Sequence, residues 1–425
     1  MARLNTAKIP AGVFNRKVIA WALYDWANSA FALSVMAVLF PLFLGLYWSA
    51  GDTGGVVTQR LAWVTAAASA VVFVLAPVFG SIADAGGYRK RFLFVLALLG
   101  AAATAGLGLA PQSALHLALF LYLLASVGYY CSTVFYDSLL IEVVEPRYYN
   151  LVSSFGFAVG YLGGAALLAL HVWMLSMPAS FGFPDTNAVI KFAFVTVGAW
   201  WAIFMLPLLF FIPEGAQRSG ARGNVIRDAY RELLHTLRNI GQYRNIVLFL
   251  TAYCLYIAAV FTVIFMAVNY GQRLGFEQKD LVMALMVTNF VGFPATILYG
   301  LFGHRYGSKL GLLVALAVYI AVSAWAVFMD AVWQFYVMAI IIGCVQGGVQ
   351  SLSRSWYAAL IPAQNSGEFF GFYNMLTKFA HVCGPALVGV AARISDSPKI
   401  VLLVLLPLLI LGGLLLVRVP NESAV

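Results

Sequence analysis

Two carboxylates and one ammonium, Asp25, Asp137 and Lys378, stand in stretches where charge is otherwise scarce. Each lies inside an apolar run, where a charge costs at least ~2.5–3.5 kcal/mol even on lenient insertion scales, so each needs a partner or a purpose. Asp25 is one turn from Trp21 and one turn from Asn28 and Ser29, with Tyr24 and Phe31 adjoining. At about 100° per residue these share one side of a helix. The acid reads as a proton-binding group or as the partner of a solute amine; the plainer alternative is a structural acid paired with a neighbouring helix. Asp137 has Tyr130 and Thr133 at i−7 and i−4, Tyr136 beside it, and Glu142, Glu145 and Arg147 following within ten residues. A gate ion pair and a central site fit it equally well.

Asn374, Lys378 and His381 fall at i, i+4 and i+7 and draw a polar stripe along an otherwise apolar helix. Lys378 can counter one of the acids when its proton is absent, or receive a solute carboxylate. Snorkelling to the interface is the dull alternative, weakened by its position about ten residues into the helix. In the preceding helix Gln346, Gln350, Ser353 and Arg354 repeat the polar spacing. There Arg354 is either a gate residue or a basic residue near a loop. Tyrosines 253, 256 and 270 and Asn289 read mainly as packing or interface anchors.

The elements that must position these groups follow from composition. Of 425 residues, 63% are hydrophobic and 10% charged, against roughly 45–50% and 25% in soluble domains, so ordinary globular classes are excluded. Twelve apolar runs reach the length of about 20 residues that a spanning helix needs: 18–48, 60–83, 91–110, 113–140, 152–173, 189–212, 246–270, 280–302, 309–329, 331–360, 367–393 and 399–418. The expectation is an all-α membrane protein. Residues 1–17 form a polar tail, and the first helix is too long for a cleaved signal. Of the 25 Lys and Arg residues, 18 fall in alternate loops on one side, which predicts a multi-pass protein with both termini cytoplasmic, most readily in a bacterial inner membrane. The charge of +9 is spread over short loops, which argues against a nucleic-acid partner. The four cysteines lie inside apolar runs without CxxC spacing. No P-loop, nucleophile elbow or HExxH pattern occurs, so neither an enzyme nor an ATP-driven pump is expected, and no cofactor or metal.

The chain also repeats itself. Gly80-Ser-Ile-Ala-Asp84-Ala-Gly-Gly87-Tyr-Arg89 matches Gly300-Leu-Phe-Gly-His304-Arg-Tyr-Gly307-Ser-Lys309 at an offset of 220. Pro146 and Phe155-Gly-Phe157 match Pro362 and Phe370-Gly-Phe372 at 216 and 215. Two six-helix bundles follow, 18–212 and 246–418, with a cytoplasmic tail at 419–425. The linker 213–245 carries Val225, Ile226, Ala229, Tyr230, Leu233, Leu234, Leu237 and Ile240 at helical spacing opposite Arg227, Asp228, Arg231, Glu232, His235 and Arg238. With Asn224 as N-cap, this predicts an amphipathic helix at 224–240 against anionic lipids.

The G-x3-D-x2-G-x-R-K pattern, with Gly80, Asp84 and Arg89 as gate residues, resembles the cytoplasmic loop signature of the major facilitator superfamily. Trp21-Ala-Leu-Tyr24-Asp25-Trp26-Ala-Asn28-Ser29-Ala-Phe31, with Gln346-Gly-Gly-Val-Gln350-Ser-Leu-Ser-Arg354-Ser-Trp-Tyr357 and Glu368-Phe-Phe-Gly-Phe-Tyr373, resembles its vacuole-effluxer branch, the autophagy-related amino-acid effluxers and their bacterial relatives. That resemblance implies the major facilitator fold and amino-acid export. Gly156-x3-Gly160-x3-Gly164 loosely resembles the antiporter signature, but Tyr161 stands where that signature has proline, and close helix packing is the safer reading.

The expected function is secondary transport of a small zwitterion by alternating access. Asp25, joined by Asp137, would carry the proton, and Tyr24, Asn28, Tyr130, Gln350, Asn374, Lys378 and His381 would contact solute in a monomer. Competing readings are a lipid or lysolipid translocator, a non-transporting sensor, and a copper importer using Met266, Met283, Met286, Cys254 and His381.

Overall fold

The computed structural model describes residues 10, 12–214, 225–238, 240–394 and 402–421, and every regular element among them is helical. Among the described residues, ten helices are long and apolar enough to cross a membrane. The first six are α1 (Arg16–Trp48), α2 (Gly54–Gly86), α3 (Arg89–Leu109), α4 (Leu115–Val143), α5 (Tyr149–Ser176) and α6 (Thr186–Phe211). After a lateral helix (Val225–Arg238) come α7 (Arg244–Arg273), α8 (Gln278–Tyr306), α9 (Ser308–Trp325) and α10 (Val332–Leu360). The polar-striped α11 (Ser366–Ile394) and α12 (Leu406–Arg418) complete the twelve. Several helices outrun their apolar runs: α2 begins at Gly54, six residues before the expected start at 60. Residues 395–401, where the twelfth span was expected to begin, lie outside the described residues, as does the expected N-cap Asn224.

Helix α1 starts where the Asn15 side chain accepts from the amides of Lys17 and Val18, at 2.9 and 3.2 Å. Such a cap satisfies donors that the first turn leaves free. Further along, Phe31–Leu39 and Leu44–Trp48 wind as π-helix, a wide form associated with functional sites.

In the first bundle α1 packs on α5 and α6, and α3 on α4 and α6; in the second, α7 packs on α11 and α12, and α8 on α10. Two seams join the bundles, α2 against α11 and α5 against α8, and α10 also crosses α5. A shift of six helices turns one seam into the other, so the sequence repeat is also a repeat of contacts. Its glycines do two jobs. Gly80 and Gly300 face the opposite bundle, where a Cβ on Gly300 would stand 2.6 Å from that of Ser154. Gly87 and Gly307 end α2 and α8 at φ of +70° and +88°. Gly87→Ala should therefore lower stability by about 1 kcal/mol. Gly307, at ψ 151°, lies in a region essentially reserved for glycine, and its alanine variant should cost about 1–3 kcal/mol, read as a lower melting temperature.

The lateral helix docks on α2: Ser81 Oγ donates to the Ala229 carbonyl at 2.8 Å, and Ala229 and Thr236 are buried. Arg227, Arg231, His235 and Arg238 are exposed. Tyr230, expected on the covered face, is 61% exposed, because the covered stripe follows Ala229 and Thr236 instead. The side chains of Val225, Ile226, Asp228, Glu232, Leu237 and Ile240 lie outside the described residues, as does Arg222.

Candidate functional site

A buried guanidinium holds the two bundles together. Arg354 of α10 is 2% exposed. Its Nη1 lies 3.1 Å from Asp137 Oδ1 on α4 and 3.8 Å from Asp25 Oδ2 on α1. Nε donates to Ser153 Oγ at 2.9 Å and Nη2 to the Ser153 carbonyl at 2.8 Å, both on α5. Its flat faces are covered by Phe157, Trp21 and Tyr136, with ring centroids 4.1, 4.9 and 5.2 Å from Cζ. A delocalised, weakly hydrated cation with donors in a fixed fork suits such a place better than lysine would. The arginine is thus no loop residue; six residues from the end of α10, it is buried between the halves.

The two acids are held differently. Asp137 accepts from Arg354 on one oxygen and from Asn374 Nδ2 of α11, at 3.1 Å, on the other. Asp25 accepts from the Tyr136 hydroxyl at 2.9 Å, and Arg354 stands beyond hydrogen-bond reach. Tyr136 is fixed by stacking on Trp21 at 4.4 Å, while Trp21 Nε1 donates to the Tyr136 carbonyl at 2.9 Å. Space for this layer comes from the small residues of α5. A Cβ on Gly156 would stand 2.7 Å from the Trp21 ring and the Tyr136 oxygen, and one on Gly160 would stand 2.7 Å from Ser29 Oγ.

Along the helices, Asp25 is nine residues from the start of α1, and Asp137 and Arg354 are six from the ends of α4 and α10. At 1.5 Å per residue these are depths of roughly 14 and 9 Å. All three measure from the same end of the molecule, the end carrying Arg89, Lys90, Arg147, Lys309 and the lateral helix. The cluster therefore lies on the basic side of the midplane.

A second set of bonds closes that basic end. Asp84 of α2 accepts from the amides of Gly367 and Glu368, at 3.0 and 2.8 Å, in the first turn of α11. An anion there satisfies free amides and meets the positive end of the helix dipole. Arg89 Nε lies 2.6 Å from Asp84, its Nη1 2.6 Å from Glu142, and Nη2 donates to the carbonyls of Ala363 and Gln364. From α5, Ser153 and Ser154 bond to Ser351 of α10, and Asn150 accepts from Ser308 of α9 and Ser355 of α10. The repeat-related loop replaces the acid with His304, which faces the Arg147 carbonyl at 3.1 Å.

Lys378 and the acids do not pair. Its Nζ sits over the Tyr130 ring, 3.1 Å from the centroid, and 3.5 Å from His381 Nδ1. His381 in turn meets Phe261 edge-on at 4.1 Å. The cation nearest both acids is Arg354 instead, whose Nη1 bonds Asp137 and stands 3.8 Å from Asp25. Tyr24 donates to Ser132 at 2.7 Å and is fully buried beside Asn28, while Gln350 is half-buried on α10 outside this network. Among the described residues no three His, Cys, Asp or Glu side chains gather as a metal site requires, and Met266 packs with Tyr270 and Met338 around a small apolar cavity.

A family model described as "Vacuole effluxer Atg22 like" matches residues 57–147 and 141–425. The chain belongs to that family. It is 33% identical over 416 residues to the MFS-type transporter YxiO of Bacillus subtilis (strain 168), covering 97% of this chain and 96% of that one. Autophagy-related protein 22 of Yarrowia lipolytica is 24% identical over 61% of this chain, which spans 48% of the fungal protein's length. Among solved structures, the human organic anion transporter MFSD10 superposes with a TM-score of 0.72 at 15% identity, over 96% of this chain and all of that one. The proton:xylose symporter XylE gives 0.73 at 11%, covering 96% of each. The fold is thus the major facilitator fold, and this member of the effluxer family is a multi-pass transporter, not an enzyme.

The sequence named Arg354 as a gate candidate but not as the partner of the two acids, although a signal for that pairing was present. Asp137 and Arg354 are 217 residues apart, within the 215–220 spacing of the repeat. They are the same position of α4 and α10, occupied by an acid in one half and a base in the other. Ser153, Ser351 and Asn150 carried no such signal, since single small polar residues in helices seldom announce their partners.

Proposed function

We propose that the protein moves a small zwitterion, an amino acid or short peptide, by alternating access, and that proton binding at Asp25 drives the cycle. The observation that carries the reading is Arg354 of one bundle shared by Asp25 and Asp137 of the other. Both acids ionised leave this dry cluster with one excess negative charge, and one proton removes it. Such a charge is costly in a low-dielectric site, so protonation and bundle separation are coupled. Asp25 is the better proton acceptor, because Asp137 spends both oxygens on N–H donors that favour the ionised form. The basic end is taken as cytoplasmic, in a bacterial inner membrane, with the chain acting as a monomer. The exposed arginines of the lateral helix would then meet anionic headgroups.

The test is transport into proteoliposomes. Asp25→Asn should abolish accumulation driven by a pH gradient while counterflow exchange continues. Undiminished gradient-driven accumulation by this variant would remove Asp25 from the coupling role.

A further inference from the structure

Lys378 is 4% exposed, and among the described residues no carboxylate comes within 4 Å of its ammonium. A buried cation ordinarily has an anionic partner. This one rests on an aromatic face, the Tyr130 ring, 3.1 Å below. The two residues come from opposite bundles, α4 and α11. Lys378 is twelve residues into the 29-residue α11, and Tyr130 thirteen from the end of the 29-residue α4. That is roughly 18–20 Å from the basic end and close to mid-helix. The pair therefore lies one layer above the Arg354 cluster, at the depth where transporter solute sites are found. The π-helical stretch of α1 faces the same place, with Met36 Sδ 3.8 Å from the Tyr130 hydroxyl.

Asp25, the expected amine partner, is engaged by Tyr136 beside Arg354 and is 7% exposed. An incoming amine needs another acceptor. We infer that Lys378 and Tyr130 form a charge-exchange site for a zwitterion: the solute carboxylate draws the Lys378 ammonium off the ring, and the solute ammonium takes the vacated face of Tyr130. Lys378 is a tethered stand-in for the solute's amine, holding the ring when the site is empty. The exchange conserves one cation on one ring and adds one ion pair, so a zwitterion enters without leaving either of its charges bare. A solute with a carboxylate alone engages Lys378 and leaves the ring empty. A solute with an amine alone has to compete with Lys378 for the ring and is the poorest ligand.

This inference rests on the zwitterion reading above, and the experiment separates the two. The purified wild-type chain is titrated by calorimetry with a panel of neutral L-amino acids, then with the deaminated acid and the decarboxylated amine of the best binder. The expected order is amino acid, then acid, then amine. Tyr130→Leu removes the ring from the empty and the filled site alike, so it should leave the amino acid nearly unchanged and strengthen the acid about thirtyfold, the size of the desolvated cation–π contact that Lys378 no longer has to give up. Tyr130→Phe keeps the ring and should bind as wild type. Lys378→Met should lose the acid and the amino acid together, and Lys378→Arg, which keeps the cation and checks folding, should retain both. If wild type binds amino acids but Tyr130→Leu keeps the wild-type preference for the amino acid over the acid, or Lys378→Met still binds the acid, the exchange site is overturned while the function stands. If no amino acid binds wild type, both are overturned.

Discussion

Arg354→Met is expected to lower the melting temperature sharply and to reduce transport to background. Removing the guanidinium leaves Asp25 and Asp137 buried without a cation, and stripping one partner from a buried ion pair typically costs about 3–5 kcal/mol. The loss also takes both hydrogen bonds to Ser153, which join α10 to α5. Adding Asp25→Asn and Asp137→Asn to the same chain should restore most of the stability, since a cluster replaced as a whole leaves no bare charge. Transport should not return if, as proposed, Asp25 is the proton site. Thermal unfolding of the single and triple variants separates these outcomes. A single variant as stable as wild type would mean that Arg354 does not hold the acids in the folded protein.

Gly80→Val is expected to abolish transport for a different reason. At Gly80 an added Cβ collides with the Gly367 carbonyl at the first turn of α11. Main-chain atoms cannot swing aside as a side chain can, so α2 and α11 must separate. Separation strips Asp84 from the amides of Gly367 and Glu368 and opens the basic end. Labelling of a cysteine placed at Ser366, 0% exposed in the closed form, should rise at least tenfold with a membrane-impermeant maleimide, as a shift of about 1.4 kcal/mol in the closing equilibrium requires. Unchanged labelling would show that the seam tolerates the extra carbon. Gly371, where a Cβ would stand 2.7 Å from Pro77 Cα, should behave alike but less severely, lying farther from Asp84.

What could be read from the residues depended on range. Twelve spans were legible because apolar length is a local property, and the lateral helix because its period is. Gly80 and Gly87 were visible as a pair, though their division of labour was not: one permits main-chain approach across the seam, the other a left-handed turn. Asp25 and Asp137 stood out because charge is rare in an apolar run. Their partner did not, since Arg354 lies near a loop and basic residues near loops usually reflect membrane topology. Lys378, the cation that looked central, meets an aromatic ring instead. Choosing between two cations for one acid depends on distances between helices more than 200 residues apart in sequence, which periodicity cannot supply.

The odd charge of the Arg354 cluster has an electrical consequence. Voltage acts on a unit charge with about 2.3 kcal/mol per 100 mV for a full crossing of the field, and on a neutral group hardly at all. On the proposed cycle a proton on Asp25 leaves the Arg354 cluster neutral, so the buried Lys378 ammonium gives these four groups a net positive charge and their passage responds to membrane potential. With the proton off, the cluster's negative charge offsets Lys378, the four groups are neutral together, and on that cycle the return is the step that potential leaves alone. The proton would leave its mark on the current that accompanies the protonated carrier.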